Sequence, residues 1–164
     1  ICKYMKPDAL FHHDDWGSQT STFLSPAMFE EFILPAYQKI YGFWKKSGVD
    51  VIIHHSDSYA ASLVPQMIEM GVDVWQGAVK ENNIPELLKT YAGKITIQGG
   101  LDNGKYDKAD WSKEAIHNGL KELFETAGTK NLIPSLTMGG PGSTFDGVYD
   151  FVTDEIRAFS KLYF

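Results

Sequence analysis

The chain has 164 residues, 43% of them hydrophobic and 13% aromatic, which is ample material for a packed core. Its formal net charge of −6, with 15 scattered basic residues, argues against nucleic acid as a partner. No stretch approaches the roughly 18 apolar residues of a membrane span, no signal peptide is visible, and the single Cys2 forms no internal disulfide, so a cytoplasmic location is expected.

Short apolar runs alternate with longer amphipathic stretches. A first strand is expected over 9–13, ending in Asp14-Asp15-Trp16-Gly17. Ser25-Pro26 reads as an N-cap and a first-turn proline. The helix after it runs over 27–46, carries Met28, Phe32, Ile33, Tyr37, Ile40 and Trp44 at helical spacing, and is kinked or broken by Pro35. Gly48 ends it. The β-branched run around 50–54 is a second strand of the buried parallel type, followed by a helix to Met70 before Gly71. Strands over 72–76 and 94–98 flank a helix over 84–91; Gly99-Gly100-Leu101-Asp102-Asn103-Gly104 follows the fourth strand. A helix over 111–126, a fifth strand over 132–137 weakened by Pro134, and a helix over 145–161 complete the series.

Five consecutive βα units favour a parallel sheet in one domain spanning 1–164. An open doubly wound sheet and a barrel both satisfy that pattern; length alone favours the open sheet, since a complete (β/α)8 barrel takes about 250 residues. In either architecture ligands sit at the C-terminal strand ends. Four of the five histidines fall there: His12 and His13 after the first strand, His54 and His55 after the second. Gln76, Gln98 and Asp102 end the third and fourth strands, and Gly139, Gly140 and Gly142 follow the fifth. Because adjacent strand residues alternate faces, one histidine of each pair points away from the pocket and is structural. His55 and Asp57, two apart, share a face, which leaves His54 toward the helices. Asp14 and Asp15 have a plain reading as caps, and the glycines as backbone hinges. The Gly-Gly-Pro-Gly stretch offers amides to an anion but lacks the spacing and lysine of a P-loop.

Four strings, in order, resemble the uroporphyrinogen decarboxylase superfamily over essentially the whole chain. They are Asp14-Asp15-Trp16-Gly17-Ser18-Gln19 with the Ser25-Pro26 helix that follows; His54-His55-Ser56-Asp57 with the segment 63–73; Gln98-Gly99-Gly100-Leu101-Asp102; and the glycine-rich turn and helix from Gly139 to Val148. The resemblance implies a (β/α)8 barrel, of which this chain supplies about five C-terminal units. The opening Ile1-Cys2-Lys3-Tyr4, without a methionine, fits an expectation that the N-terminal part of the same barrel precedes it. Two activities follow from the resemblance. One is cofactor-free decarboxylation of a tetrapyrrole. The other is methyl transfer to or from a corrinoid on a partner protein, with zinc held by His-x-Cys and a distant Cys.

The decarboxylases' Gly-His-Gly is here Gly139-Gly140-Pro141-Gly142, without an imidazole, and the zinc thiolates have no counterpart. The expectation is therefore a methyltransferase-type member that moves a methyl group between a small methylated compound, such as a methoxy compound, and a corrinoid protein. Its rivals are a tetrapyrrole carboxy-lyase and a non-catalytic barrel that binds a corrinoid or tetrapyrrole. His55, Asp57 and Asp15 are the expected catalytic groups. Asp14, Trp16, Gln19, Tyr59, Gln76, Gln98, Asp102, Gly139 and Gly140 are expected at the substrate. His55 and Asp57 keep the spacing of a metal pair, although zinc is weakened as a cofactor by the loss of sulfur.

Overall fold

The computed structural model describes residues 1–137 and 141–163. It contains five strands, β1 (Ala9–His13), β2 (Val51–His55), β3 (Val74–Ala78), β4 (Thr96–Gly100) and β5 (Leu132–Ser135). All four pairings are parallel and the sheet order is β1-β2-β3-β4-β5. The fold is α/β with five parallel strands in sequential order. A doubly wound sheet reverses its strand order to cover both faces; this one has no reversal.

Burial shows the same thing from the side chains. Ile52, His54, Trp75 and Ile97, which alternate along the strands onto one face, are fully buried. Ile52, Trp75 and Ile97 pack in one cluster with Tyr41, Met67, Ile84, Leu120 and Phe124 of the helices. The opposite face carries Phe11, Val51 and Ile133, which are 55%, 36% and 44% exposed. Among the described residues, helices therefore cover one side of the sheet only.

The helices follow the local chemistry. α1 (Cys2–Met5) precedes β1 and was not expected. The expected helix over 27–46 is two, α2 (Pro26–Phe32) and α3 (Leu34–Lys46). Ser25 caps the first through Met28 N–H at 3.2 Å. Pro35 has no N–H for the Glu31 carbonyl and its ring crowds that turn, so the chain breaks at Ile33. α4 (Val64–Met70) ends at Gly71 with φ +89°. α5 (Ile84–Thr90), the unforeseen short α6 (Asn103–Tyr106), α7 (Lys113–Ala127) and α8 (Val148–Tyr163) complete the set. Among the described residues no helix is long and apolar enough to cross a membrane.

β3 and β4 lie about two residues further along than their apolar runs indicate. Gly99 and Gly100, expected as hinges after the fourth strand, and Gly77 belong to the strands with positive φ. β5 tolerates Pro134 because the Asn131 and Ser135 carbonyls accept from Ile97 of β4 and from Leu101 just after it, at 2.9 and 3.2 Å. The intervening proline nitrogen thus faces the sheet's outer edge, where a missing N–H breaks no bond to β4.

Candidate functional site

The β1–β2 register sets His12 beside His54 and His13 beside His55. His12 and His54 turn toward the helices. His54 is fully buried; its Nε2 lies 3.0 Å from the Asp14 carbonyl and its Nδ1 2.6 Å from Tyr41 Oη. A carbonyl only accepts, so Nε2 carries the proton and Nδ1 accepts from the Tyr41 hydroxyl. Tyr41 Oη is in turn 3.0 Å from His12 Nδ1, which is left as the donor. Both ring nitrogens of His54 and the Tyr41 hydroxyl are thus matched with His54 neutral. Burial pushes the His54 imidazole down to about 4, against the opposing pull of the Asp14 carbonyl. Tyr37 donates to the Asp14 carboxylate, and burial first, then that carboxylate, raises its phenol. Trp16 stacks on His54 with centroids 3.8 Å apart and meets Phe29 edge-on.

On the open face the imidazoles of His13 and His55 meet edge to face, centroids 4.2 Å apart. His13 Nε2 lies 3.7 Å from Asp15 Oδ2, and His55 Nε2 lies 3.8 Å from Asp15 Oδ1. The one ligand atom each residue offers lies within 4.8 Å of the others. His55 Nδ1–H donates to Gln76 Oε1 on the next strand. Asp15 Oδ1 also accepts the Asp57 N–H at 2.7 Å, which ties the two loops together. Gly77 lets β3 approach the loop that carries Asp57. Its φ is +95°, and a Cβ there would stand 3.0 Å from the Ser56 carbonyl oxygen and 3.1 Å from the Asp57 nitrogen.

Asp57 lines a cleft of about 290 Å³ together with Gln19, Lys80, Asp102, Asn103 and Thr137. One of its carboxyl oxygens is buried with no hydrogen-bond partner. Burial pushes the carboxyl above the ordinary carboxylate range, while the Thr137 hydroxyl and the His55 imidazole pull the other way. Asn103 and Thr137 clamp each other, Thr137 N–H donating to Asn103 Oδ1 at 3.0 Å and Asn103 Nδ2 to the Thr137 hydroxyl. Asp102 caps α6 through Lys105 N–H at 3.2 Å and pairs with Lys80.

The geometry thus brings together His55, Asp15, Gln76 and Asp57, with Gln19 and Asp102 lining the same cleft as Asp57. Gln98 lies beside Gln76 by register, on the same face. Two expected substrate contacts lie elsewhere and are corrected. The Trp16 indole is packed in the core, 6% exposed, because its neighbours are the aromatic rings of α2 and α3. Asp14 is engaged by Tyr37 on the helix side, since it alternates with Asp15. Tyr59 anchors its own loop through its N–H to the Ser18 carbonyl at 2.8 Å. Gly139 and Gly140 lie outside the described residues. For metal, the donor group is His13, Asp15 and His55; Asp57 is not in it. Asn103 and Thr137 join the site without having been singled out, and His13, expected at the strand ends, gains a role there. A signal for His13 existed: two His-His pairs ending adjacent parallel strands come into register as wholes.

The thiolate zinc set implied by the resemblance does not fit this chain. Cys2 is its only cysteine, it sits in α1, and the donor cluster is entirely nitrogen and oxygen.

An α/β sheet with its acids and imidazoles gathered at the C-terminal strand ends is the architecture of a βα-repeat enzyme site. The family model for uroporphyrinogen decarboxylase matches residues 7–157, and the chain belongs to that family. Comparison with curated proteins yields no match. Among solved structures the chain is similar to a methyltransferase from Methanosarcina mazei, at 15% identity and a TM-score of 0.70. The likeness covers 93% of this chain and 42% of the other, so this chain spans less than half that protein's length.

Proposed function

We propose that the chain is part of a (β/α)8-barrel enzyme that moves a methyl group from a small methylated compound to a corrinoid protein. The observation that carries the reading is the Asp57 carboxyl, set in the cleft wall with one oxygen unpaired and aimed at no protein donor. The sequential parallel sheet, covered by helices on one face only, supports the barrel, since a barrel's strands run in order with helices outside. Family membership and the fold of the Methanosarcina mazei methyltransferase support the reaction class. The absence of an imidazole from Gly139-Gly140-Pro141-Gly142 speaks against the decarboxylase alternative.

A methyl ether or amine has a poor leaving group, so the departing oxygen or nitrogen must be protonated as its bond to carbon breaks. A positioned acid contributes roughly 10²–10⁴-fold to such a step. Asp57 delivers that proton from the cleft wall. Thr137, clamped by Asn103, and the backbone bond to Asp15 hold the carboxyl in place. His55, fixed by Gln76, completes the polar side of the pocket. When bound, a corrinoid would supply the nucleophile for the methyl group. The rim formed by His13 and Asp15 is open to such an acceptor, their side chains being 62% and 43% exposed.

The test is methyl transfer to reduced cobalamin by the full-length protein, with a panel of methoxy and methylamine donors. Asp57→Asn should lower kcat/KM by roughly 10²–10³-fold for an alkyl methyl ether. The loss should shrink for aryl ethers, whose leaving groups need less help. An equal loss across donors, or no transfer from any donor by the unaltered protein, would sink the proposal.

A further inference from the structure

We infer that His13, Asp15 and His55 form a binding site for a divalent first-row transition-metal ion, with two imidazole nitrogens and one carboxylate. Parallel register places the two imidazoles at one height on neighbouring strands, and Asp15 follows two residues after His13 so that its side chain turns to the same face. The two carboxylate oxygens face the two Nε2 atoms at 3.7 and 3.8 Å. That is too long for a hydrogen bond. Metal bonds of about 2.0–2.2 Å set donors around a tetrahedral ion roughly 3.4 Å apart, so small side-chain rotations close the gaps.

The independent observation is the state of His55. Gln76 Oε1 only accepts, so the His55 proton sits on Nδ1 and the Nε2 lone pair points at the carboxylate. Two acceptors then face one another across a gap that a cation fills. An imidazole with its outer nitrogen held by an acceptor is also how metal-bound histidines are oriented. The Asp57 N–H holds the carboxylate in the same manner. Imidazole with a single carboxylate favours zinc, iron, cobalt or nickel over calcium or magnesium. Three protein donors at an open rim leave positions for water or substrate.

The full-length protein, stripped with a chelator, is titrated with Zn²⁺ by calorimetry and with Co²⁺ by visible absorption. One ion per chain should bind, and Co²⁺ should show the ligand-field bands of a nitrogen–oxygen site. His13→Ala, Asp15→Ala and His55→Ala should each abolish stoichiometric binding. Gln76→Leu should weaken it by about 10–100-fold, the usual effect of losing an orienting partner. His117→Ala, which removes an exposed histidine paired with Glu155 on α8, should leave binding unchanged. His55→Gln serves if the alanine variant fails to fold by circular dichroism. No ion bound by the folded protein overturns the inference, as does binding that survives His13→Ala or is lost with His117→Ala. Because the readout is metal content and not methyl transfer, the inference stands or falls apart from the proposed reaction.

Discussion

At the scale of single residues, the two faces of β2 use the same side chain for opposite purposes. His54 is a neutral core group, and its cost appears when acid forces a proton onto it. Unfolded, it titrates near 6.5; folded, it is held down to about 4. Between those values the unfolded chain binds more protons, so stability is complete above about pH 6.5 and falls as pH drops toward 4. At about 1.4 kcal/mol per pH unit, roughly 3 kcal/mol is at stake. A cation bound by the neighbouring His55 would act in the same direction. Urea midpoints of the full-length protein should decline across that window, and His54→Gln should flatten the decline. An identical slope in both proteins would show that the stacked, doubly bonded imidazole is not the acid-sensitive group.

At the scale of elements, the strand ends owe their shape to glycines that extend β3 and β4 past their apolar runs. Gly77 and Gly48 make a controlled pair. Both sit at similar positive φ, +95° and +93°, but a Cβ at Gly48 meets nothing within 4 Å, whereas at Gly77 it meets the Ser56–Asp57 backbone. Gly48→Ala should cost only the conformational term, about 1 kcal/mol. Gly77→Ala should cost about 1–3 kcal/mol more and should lower turnover, because it pushes away the loop that carries Asp57. Equal destabilisation, with activity retained, would mean that the close approach of β3 to that loop does not set the Asp57 position.

For the whole molecule, the open sheet face is the feature a barrel must cover. Phe11, Val51 and Ile133 lie exposed on it, on the side that closure would turn inward. Phe11→Asp in the full-length protein should therefore be strongly destabilising, by about 3 kcal/mol or more, the scale of losing a buried aromatic and burying a carboxylate. A change within about 0.5 kcal/mol, as at an ordinary surface position, would show that the face stays in water and that the barrel reading is wrong.

Much of this was legible in the sequence because strand and helix periodicities are local. The five βα units, the Pro35 break, the Gly71 stop and the collection of polar groups at the strand ends follow from short-range stereochemistry and patterning. The alternation of strand side chains likewise separates His54 from His55 without coordinates. The remainder depends on contacts between distant segments. The parallel register made His13 a partner of His55 and left Asp57 outside the donor cluster. Aromatic rings of α2 and α3 drew Trp16 into the core, and Tyr37 claimed Asp14. Asn103 and Thr137 acquired a role only when residues 34 positions apart closed on one another. Local patterning specifies which residues reach the strand ends; only packing between elements decides which of them face one another.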